Sequence, residues 1–375
     1  MVDTESFVNY LCDKDISFYS GVPDSLLKNF CACISSKKGV RNIIAANEGG
    51  AIGLAAGHHL ATGKIPLVYM QNSGEGNAVN PLLSLMDADV YNMPVLLLIG
   101  WRGEPGIHDE PQHVKQGKVT LSLLDTMGIK YEILEDEDNK VKSQIDKAIA
   151  HMQATNEPYA LVVRKGTFAP FEMPKADNGL RMSRENAIKT VIETLGEDDI
   201  VVSTTGMISR ELFELREARG EGHKKDFLTV GSMGHASQIA LGIALEKPSR
   251  KVYCFDGDGA MLMHLGGVAI IGDMAPKNYR HILFNNGAHD SVGGQRTVGL
   301  SVDFCKIALA SGYKKAISVD NEEDLRKALL EIDEGPILIE AKVRKGNRKD
   351  LGRPTIPPRE NKKNYMEFIK GNSIS

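Results

Sequence analysis

Short runs rich in Val, Ile and Leu, too brief for helices and lacking a polar face, recur along the whole chain between segments of helical periodicity. Strands buried on both faces read this way, because crossover helices cover each face of a parallel sheet. The pattern predicts strands at 42–47, 66–71, 94–100, 131–134 and 159–164, then at 200–204, 227–230, 251–255, 279–285, 316–319 and 336–341. Amphipathic segments separate them. One carries Val141, Ile145, Ala148, Ile149 and Met152, and another carries Ala187, Ile188, Val191, Ile192 and Leu195 behind an expected N-cap at Ser183. Right-handed crossovers then give an α/β fold of mainly parallel sheets flanked by helices.

The pattern occurs twice. Gly128-Ile-Lys-Tyr, an acidic turn at 135–138, a helix and Glu157-Pro-Tyr-Ala-Leu-Val-Val-Arg-Lys-Gly return as Gly312-Tyr-Lys-Lys, an acidic turn at 320–324, a helix and Gly335-Pro-Ile-Leu-Ile-Glu-Ala-Lys-Val-Arg-Lys-Gly. The ordered match of several features favours a duplicated domain over chance phrasing. Two domains also suit a chain of 375 residues. The stretch 167–182 holds Pro170, Pro174 and the turn pair Asn178-Gly179 without sustained periodicity. The expected organisation is therefore a domain over 1–168, a linker over 169–182, a second domain over 183–345 and a basic extension over 346–375. That extension carries Arg348, Lys349, Arg353, Arg359, Lys362 and Lys363. It reads either as a solvated tail or as a lid over an anionic substrate.

Composition narrows the partners. A formal charge of −4 and a pI near 6.2 argue against attraction to nucleic acid or anionic membrane. No apolar run is long enough to span a bilayer, and the acidic start at Met1-Val-Asp-Thr-Glu-Ser lacks the features of a secretory signal. The cysteines Cys12, Cys31, Cys33, Cys254 and Cys305 are odd in number and lack zinc-site spacing, so reduced thiols in a cytoplasmic protein are expected. A small molecule is the expected ligand.

Two strand ends carry its chemistry. Phe255-Asp-Gly-Asp-Gly-Ala closes one buried strand with a carboxylate between glycines, where backbone amides can approach phosphate. About 28 residues later Leu283-Phe-Asn-Asn-Gly-Ala closes another. Carboxyl ends of parallel strands line one crevice, so Asp258 and Asn286 can converge. A carboxylate, an amide oxygen and a backbone carbonyl form an oxygen-only set suited to Mg2+, with positions left for diphosphate oxygens. Gly257-Asp-Gly259-Ala-Met-Leu lacks the third glycine of a dinucleotide fingerprint, and no Walker-type loop is present.

Together these motifs resemble the thiamin diphosphate signature of the decarboxylase and acetohydroxyacid synthase superfamily, and the resemblance spans nearly the whole chain. It implies Asp258, the side chain of Asn286 and the carbonyl of Ala288 as Mg2+ ligands. The two halves then become a pyrimidine-binding domain and a diphosphate-binding domain, without the middle domain of larger members. Glu48, in Ala45-Ala-Asn-Glu-Gly-Gly-Ala, matches the glutamate that relays a proton to the pyrimidine nitrogen; the structural alternative is a carboxylate at a helix N-terminus. Val230-Gly-Ser-Met-Gly-His-Ala-Ser resembles the loop that bends the cofactor, with Met233 as the wedge under the thiazolium and the Gly231 carbonyl accepting from the amine. Met233 reads otherwise as an ordinary core methionine. Ser232, His235, Thr205, Gly206, Gly259 and Ala260 are the implied diphosphate contacts.

The phrases Ser20-Gly-Val-Pro-Asp-Ser-Leu-Leu, Gln71-Asn-Ser-Gly-Glu-Gly-Asn, Gly100-Trp-Arg-Gly-Glu-Pro-Gly, Asp109-Glu-Pro-Gln-His, Gly231-Ser-Met-Gly-His-Ala-Ser-Gln and Lys349-Asp-Leu-Gly-Arg-Pro narrow the resemblance further. They are similar to those of superfamily members that decarboxylate a 2-oxo acid carrying a phosphonate, with sulfonate-carrying substrates next. A second anionic group calls for fixed cations, and Arg102, His108, His113, Lys115 and Arg353 are the candidates. Asp24 matches a pocket acid that shuttles a proton, or else caps a helix before Leu26 and Leu27. His113 is a second proton-relay candidate, or an exposed loop histidine. The resemblance also implies a homo-oligomer in which Glu48 and Asp258 of one site come from different subunits. A non-catalytic thiamin diphosphate-binding subunit is the alternative, and it would have no use for Glu48.

Overall fold

The computed structural model describes residues 1–172, 177–331 and 334–371. The chain forms two compact units, Met1–Lys175 and Ala176–Ser375. In the first, strands β1 (Phe18–Gly21), β2 (Arg41–Ile44), β3 (Leu67–Gln71), β4 (Leu96–Gly100), β5 (Lys130–Ile133) and β6 (Tyr159–Val163) form one sheet in the order β2-β1-β3-β4-β6-β5. Every pairing is parallel. The second unit holds β7 (Ile200–Ser203), β8 (Asp226–Leu228), β9 (Val252–Gly257), β10 (Tyr279–Asn285), a small antiparallel pair β11 (Ala288–His289) and β12 (Gln295–Arg296), then β13 (Lys315–Val319) and β14 (Ile337–Lys342). Its main sheet runs β13-β14-β10-β9-β7-β8. With the hairpin set aside, the six strands of each unit follow the same spatial order, as the repeated sequence pattern predicts.

Successive residues of a strand point to opposite faces, and here both faces are buried. Along β4, Leu96 and Leu98 join the cluster with Phe30 and Leu161, while Leu97 and Ile99 join that with Ile52 and Val162. Along β10, Ile282 and Phe284 pack with Phe255, whereas Leu283 packs with Phe304. The helix Asp138–Thr155 buries Val141, Ile145, Ala148, Ile149 and Met152 as its period predicts. Ser183 caps Arg184–Ile192 through Asn186 N–H at 3.0 Å.

Several expectations change. Strand β1 carries no long apolar run and was not expected, yet it lies between β2 and β3. Its residues serve close approach instead. A Cβ on Gly21 would sit 2.0 Å from the Tyr69 carbonyl oxygen, and Ser20 Oγ donates to the Ala51 carbonyl at 2.9 Å. Strand β2 stops at Ile44 rather than 47, because Asn47 caps the helix Glu48–Thr62 through Gly50 N–H at 2.8 Å. Strand β8 ends at Leu228 rather than 230. Within the expected linker, Ala169 bonds back to Val2, whereas Asn178 bonds to the carbonyls of Asn286 and Val343. Residues 173–176 lie outside the described residues.

The extension after β14 is not a free solvated tail. Arg210 donates to the carbonyls of Leu351 and Gly352, and Arg348 pairs with Glu185, Glu214 and Asp350. The helix Pro358–Lys370 then covers the outer edge of β8. Asn361 accepts from Leu228 N–H at 3.0 Å and donates to the Asp226 carbonyl at 2.8 Å, standing in for a neighbouring strand. Asn361→Ala would strand both buried backbone groups. It is expected to lower the unfolding free energy by roughly 2 kcal/mol, measured as a reduced urea midpoint by circular dichroism.

Candidate active site

The register of β9 and β10 sets the geometry of the second unit's site. Gly257 lies opposite Phe284, so Asp258 and Asn286 continue from adjoining strand ends. Asp258 opens the short helix Asp258–Met263. Its carboxylate accepts from the Asn286 N–H, and Oδ2 accepts a short hydrogen bond from Thr297 Oγ1. Gly299 is required there, since a Cβ would come within 2.4 Å of Asp258 Oδ2. Asn286 Oδ1 accepts from Ala288 N–H at 3.0 Å, placing Ala288 in the same turn.

These residues fit a hard cation. Asp258 is 2% exposed and burial pushes its carboxyl up to about 6, while its hydrogen-bond donors are neutral groups. A carboxylate in that position needs counter-charge. Thr204 and Thr229, just beyond β7 and β8 of the same sheet, hold buried hydroxyls without a protein partner. Diphosphate oxygens would satisfy such donors. Thr204 escaped sequence reasoning because a threonine ending a strand carries no motif.

The segment expected to bend the cofactor follows β8. Gly231, Ser232 and Gly234 adopt φ of 72°, 45° and 85°, the left-handed region that Ser232 enters despite its side chain. Thr205 Oγ1 accepts from Gly231 N–H at 3.2 Å, and Gly206 caps the helix Met207–Arg219. His235 lies against His264 with ring centroids 4.4 Å apart. A Cβ on Gly259 would meet Met233 Cε at 3.3 Å and His289 Cε1 at 2.8 Å. Met233, Gly259 and His289 therefore converge, with Ala260 following in the helix. Burial holds His289 neutral, down at about 4. It was not singled out from sequence, where it reads as one residue of a turn.

In the first unit Glu48 opens the helix Glu48–Thr62 and is 5% exposed. Asn77 Nδ2 donates to Glu48 Oε2 at 2.8 Å, and a Cβ on Gly74 would fall 2.3 Å from Oε1. The same segment reaches Asp24, because Gln71 Nε2 donates to Asp24 Oδ1 at 2.6 Å. Asp24 is fully buried and burial raises its proton affinity, against the opposing pull of Gln71. It caps only a turn, through Leu26 N–H at 2.9 Å, since the helix begins at Lys28. Gln71 and Asn77 bound the motif Gln71-Asn-Ser-Gly-Glu-Gly-Asn, but only the fold assigns them their carboxylate partners.

The expected cations differ in burial and partners. Arg102 gives Nε and Nη2 to Asp109 and Nη1 to Ser25. Burial opposes it, yet this pairing and the Gly103 N–H hold Asp109 at about 2. His113 is buried on the helix Pro111–Thr126, not exposed on a loop, and burial with nearby Arg102 brings it down to about 4. Its Nδ1 has no partner. His108 and Lys115 are exposed, as is Arg353 in the second unit. Among the described residues, Cys254, Asp256 and His281 form a further buried grouping of metal-ligand types. Both His281 nitrogens there have protein partners, Tyr313 at 3.1 Å and Asp256 at 3.4 Å.

Comparison with known proteins agrees with both halves. Residues 3–126 match "Thiamine pyrophosphate enzyme, N-terminal TPP binding domain", and residues 204–341 match "Thiamine pyrophosphate enzyme, C-terminal TPP binding domain". The chain is 33% identical to a phosphonopyruvate decarboxylase of Streptomyces viridochromogenes, over 98% of this chain and 95% of that protein. A phosphonopyruvate decarboxylase of Streptomyces hygroscopicus is also 33% identical, covering 98% and 94%. A sulfopyruvate decarboxylase of Methanosarcina acetivorans is 28% identical, covering 86% of each.

Glu75, between the residues that hold Glu48, supplies a pH test. It is 3% exposed, its Oε1 lacks a partner, and burial pushes its carboxyl up to about 8. The folded state then holds a proton that the unfolded state releases near 4.5. This contribution to stability is complete below about pH 4.5 and is lost as pH rises toward 8. Glu75→Gln should flatten that decline in the thermal unfolding midpoint between pH 5 and 8, and an unchanged slope would assign the decline elsewhere.

Proposed function

The chain belongs to the phosphonopyruvate decarboxylase family of thiamine pyrophosphate enzymes, and we propose that it converts 3-phosphonopyruvate to phosphonoacetaldehyde and CO2 in phosphonate biosynthesis. The observation that carries the reading is the buried Asp258 carboxylate, beside Asn286 at adjoining strand ends and lacking a cation among the described residues. Asp258, Asn286 and the Ala288 carbonyl would hold Mg2+, and Thr205, Gly206, Ser232, His235, Gly259 and Ala260 the diphosphate. Thiamin diphosphate, when bound, supplies the electron sink for the carbon–carbon bond that breaks.

The chain's own residues do the rest. Glu48, held by Asn77, keeps its carboxyl in one orientation for proton exchange with the pyrimidine nitrogen. Met233 would support the thiazolium, and the Gly231 carbonyl would accept from the amine. Asp24, whose burial favours its protonated form, holds a proton for the product carbon. His113, neutral at working pH, can relay one. Arg102 has five N–H groups, of which three are engaged here, so two remain for the substrate anion. His108, Lys115 and Arg353 are the other candidates for phosphonate contact. A sulfonate carries one charge fewer, so sulfopyruvate is the second reading, supported by the Methanosarcina relative.

We assign the protein to the cytoplasm as a homo-oligomer with shared sites. All five cysteines are unpaired, and no helix among the described residues is long and apolar enough to cross a membrane. Leu54 and Leu60 on the Glu48 helix, and Ile270 and Met274 on the helix Gly266–Met274, are exposed apolar side chains suited to cover by a partner.

A carbon dioxide release assay on 3-phosphonopyruvate should show turnover that requires both thiamin diphosphate and Mg2+, with slower turnover of sulfopyruvate. Activity without the cofactor would overturn the assignment. Glu48→Gln should reduce kcat by roughly 10²- to 10⁴-fold. Mixing inactive Glu48→Ala with inactive Asp258→Ala protein under subunit exchange should restore part of the activity, whereas no recovery would argue for sites built within one chain.

A further inference from the structure

The turn after β10 carries a second carboxylate that the proposed chemistry does not use. Asp290 lies four residues beyond Asn286 and its side chain is 8% exposed. Oδ2 accepts three N–H groups: Asn286 Nδ2 at 2.7 Å, Arg184 Nη1 at 3.0 Å and Gly346 N–H at 3.0 Å. Arg184, itself 5% exposed, returns to Glu211 through Nε at 2.8 Å and Nη2 at 3.0 Å. The helices Arg184–Ile192 and Met207–Arg219, the turn after β10 and the strap after β14 thus meet in a buried run of charges. The run ends on the Asn286 amide.

An asparagine amide is nearly symmetric in shape, so its orientation follows from its partners. Here Oδ1 accepts from Ala288 N–H while Nδ2 donates to Asp290. Turned over, the amide would set two N–H groups face to face and place its oxygen against a carboxylate. Both contacts therefore select one orientation, in which Oδ1 retains a second lone pair. Asp290 cannot swing away, because Arg184 and Gly346 hold the same oxygen. Arg184 is fixed in turn by a bidentate pair with Glu211.

We propose that Asp290 is a positioning residue for the divalent cation, orienting the Asn286 amide so that Oδ1 faces the metal, with Arg184 and Glu211 holding Asp290 in place. The proposal rests on the reading of Asn286 as a metal ligand. Partners of metal ligands change affinity by roughly 10- to 100-fold when removed. Asp290 belongs to that class by its direct bond to the ligand.

The test is isothermal titration of metal-stripped, full-length protein with thiamin diphosphate at a series of Mg2+ concentrations. Asp290→Ala should raise the half-saturating Mg2+ concentration by roughly 10- to 100-fold. Asp290→Asn keeps an acceptor oxygen without the charge and should fall between wild type and Asp290→Ala. The unfolding midpoint of the metal-free protein is measured alongside. A purely structural Asp290 would lower that midpoint and leave the Mg2+ requirement in place. A wild-type Mg2+ requirement in folded Asp290→Ala, or in Asp290→Asn should the alanine variant not fold, overturns the proposal. Failure of the wild-type protein to bind thiamin diphosphate in a Mg2+-dependent way would instead remove the metal-site reading beneath it.

Discussion

Ladder hydrogen bonds between β9 and β10 hold Gly257 opposite Phe284, and the second unit's site depends on that register. A one-residue slip of β10 would turn Ile282 and Phe284 out of one buried layer and Leu283 out of the other. Because both faces are packed, the register has no soft alternative. It delivers Asp258 and Asn286 to the same end of the sheet, where backbone leaves the ladder and its polar groups become available. Core packing thus brings the two proposed metal ligands together.

Buried acids recur in both units, and each is handled differently. Asp258 is buried and accepts from neutral donors. Asp290 and Glu211 share one cation, Arg184. Asp24 and Glu75 are pushed by burial toward their protonated forms. Acids pushed toward the neutral form, acids paired internally and an acid with only neutral donors are three chemically distinct settings of one side-chain type. Burial and partner identity, more than residue type, separate them.

The segment 71–77 plays in the first unit the part that the turn after β10 plays in the second. Gln71 holds Asp24, Gly74 leaves room for Glu48, and Asn77 fixes its carboxylate. A short run of small and amide side chains can therefore orient two acids that lie 24 residues apart in sequence. The C-terminal strap contributes similarly, since Gly346 N–H reaches Asp290 and Asn361 closes the edge of β8. Neither contact is foreshadowed by the charge pattern, which suggests a solvated tail or a lid.

Much of this was legible beforehand. Period-two burial on both faces forces continuous apolar runs, so most strands, the repeated domain and the strand-end positions of Asp258 and Asn286 followed from the sequence alone. Strand β1 did not, because Ser20 and Gly21 make close contact with Ala51 and Tyr69 rather than forming an apolar run. The tertiary structure alone decided which polar groups meet: Arg102 with Asp109, Asn77 with Glu48, and Asp290 with Asn286. Hydrophobic periodicity is a local property of the chain, whereas a hydrogen-bond partner depends on which strand ends the packed sheets bring together.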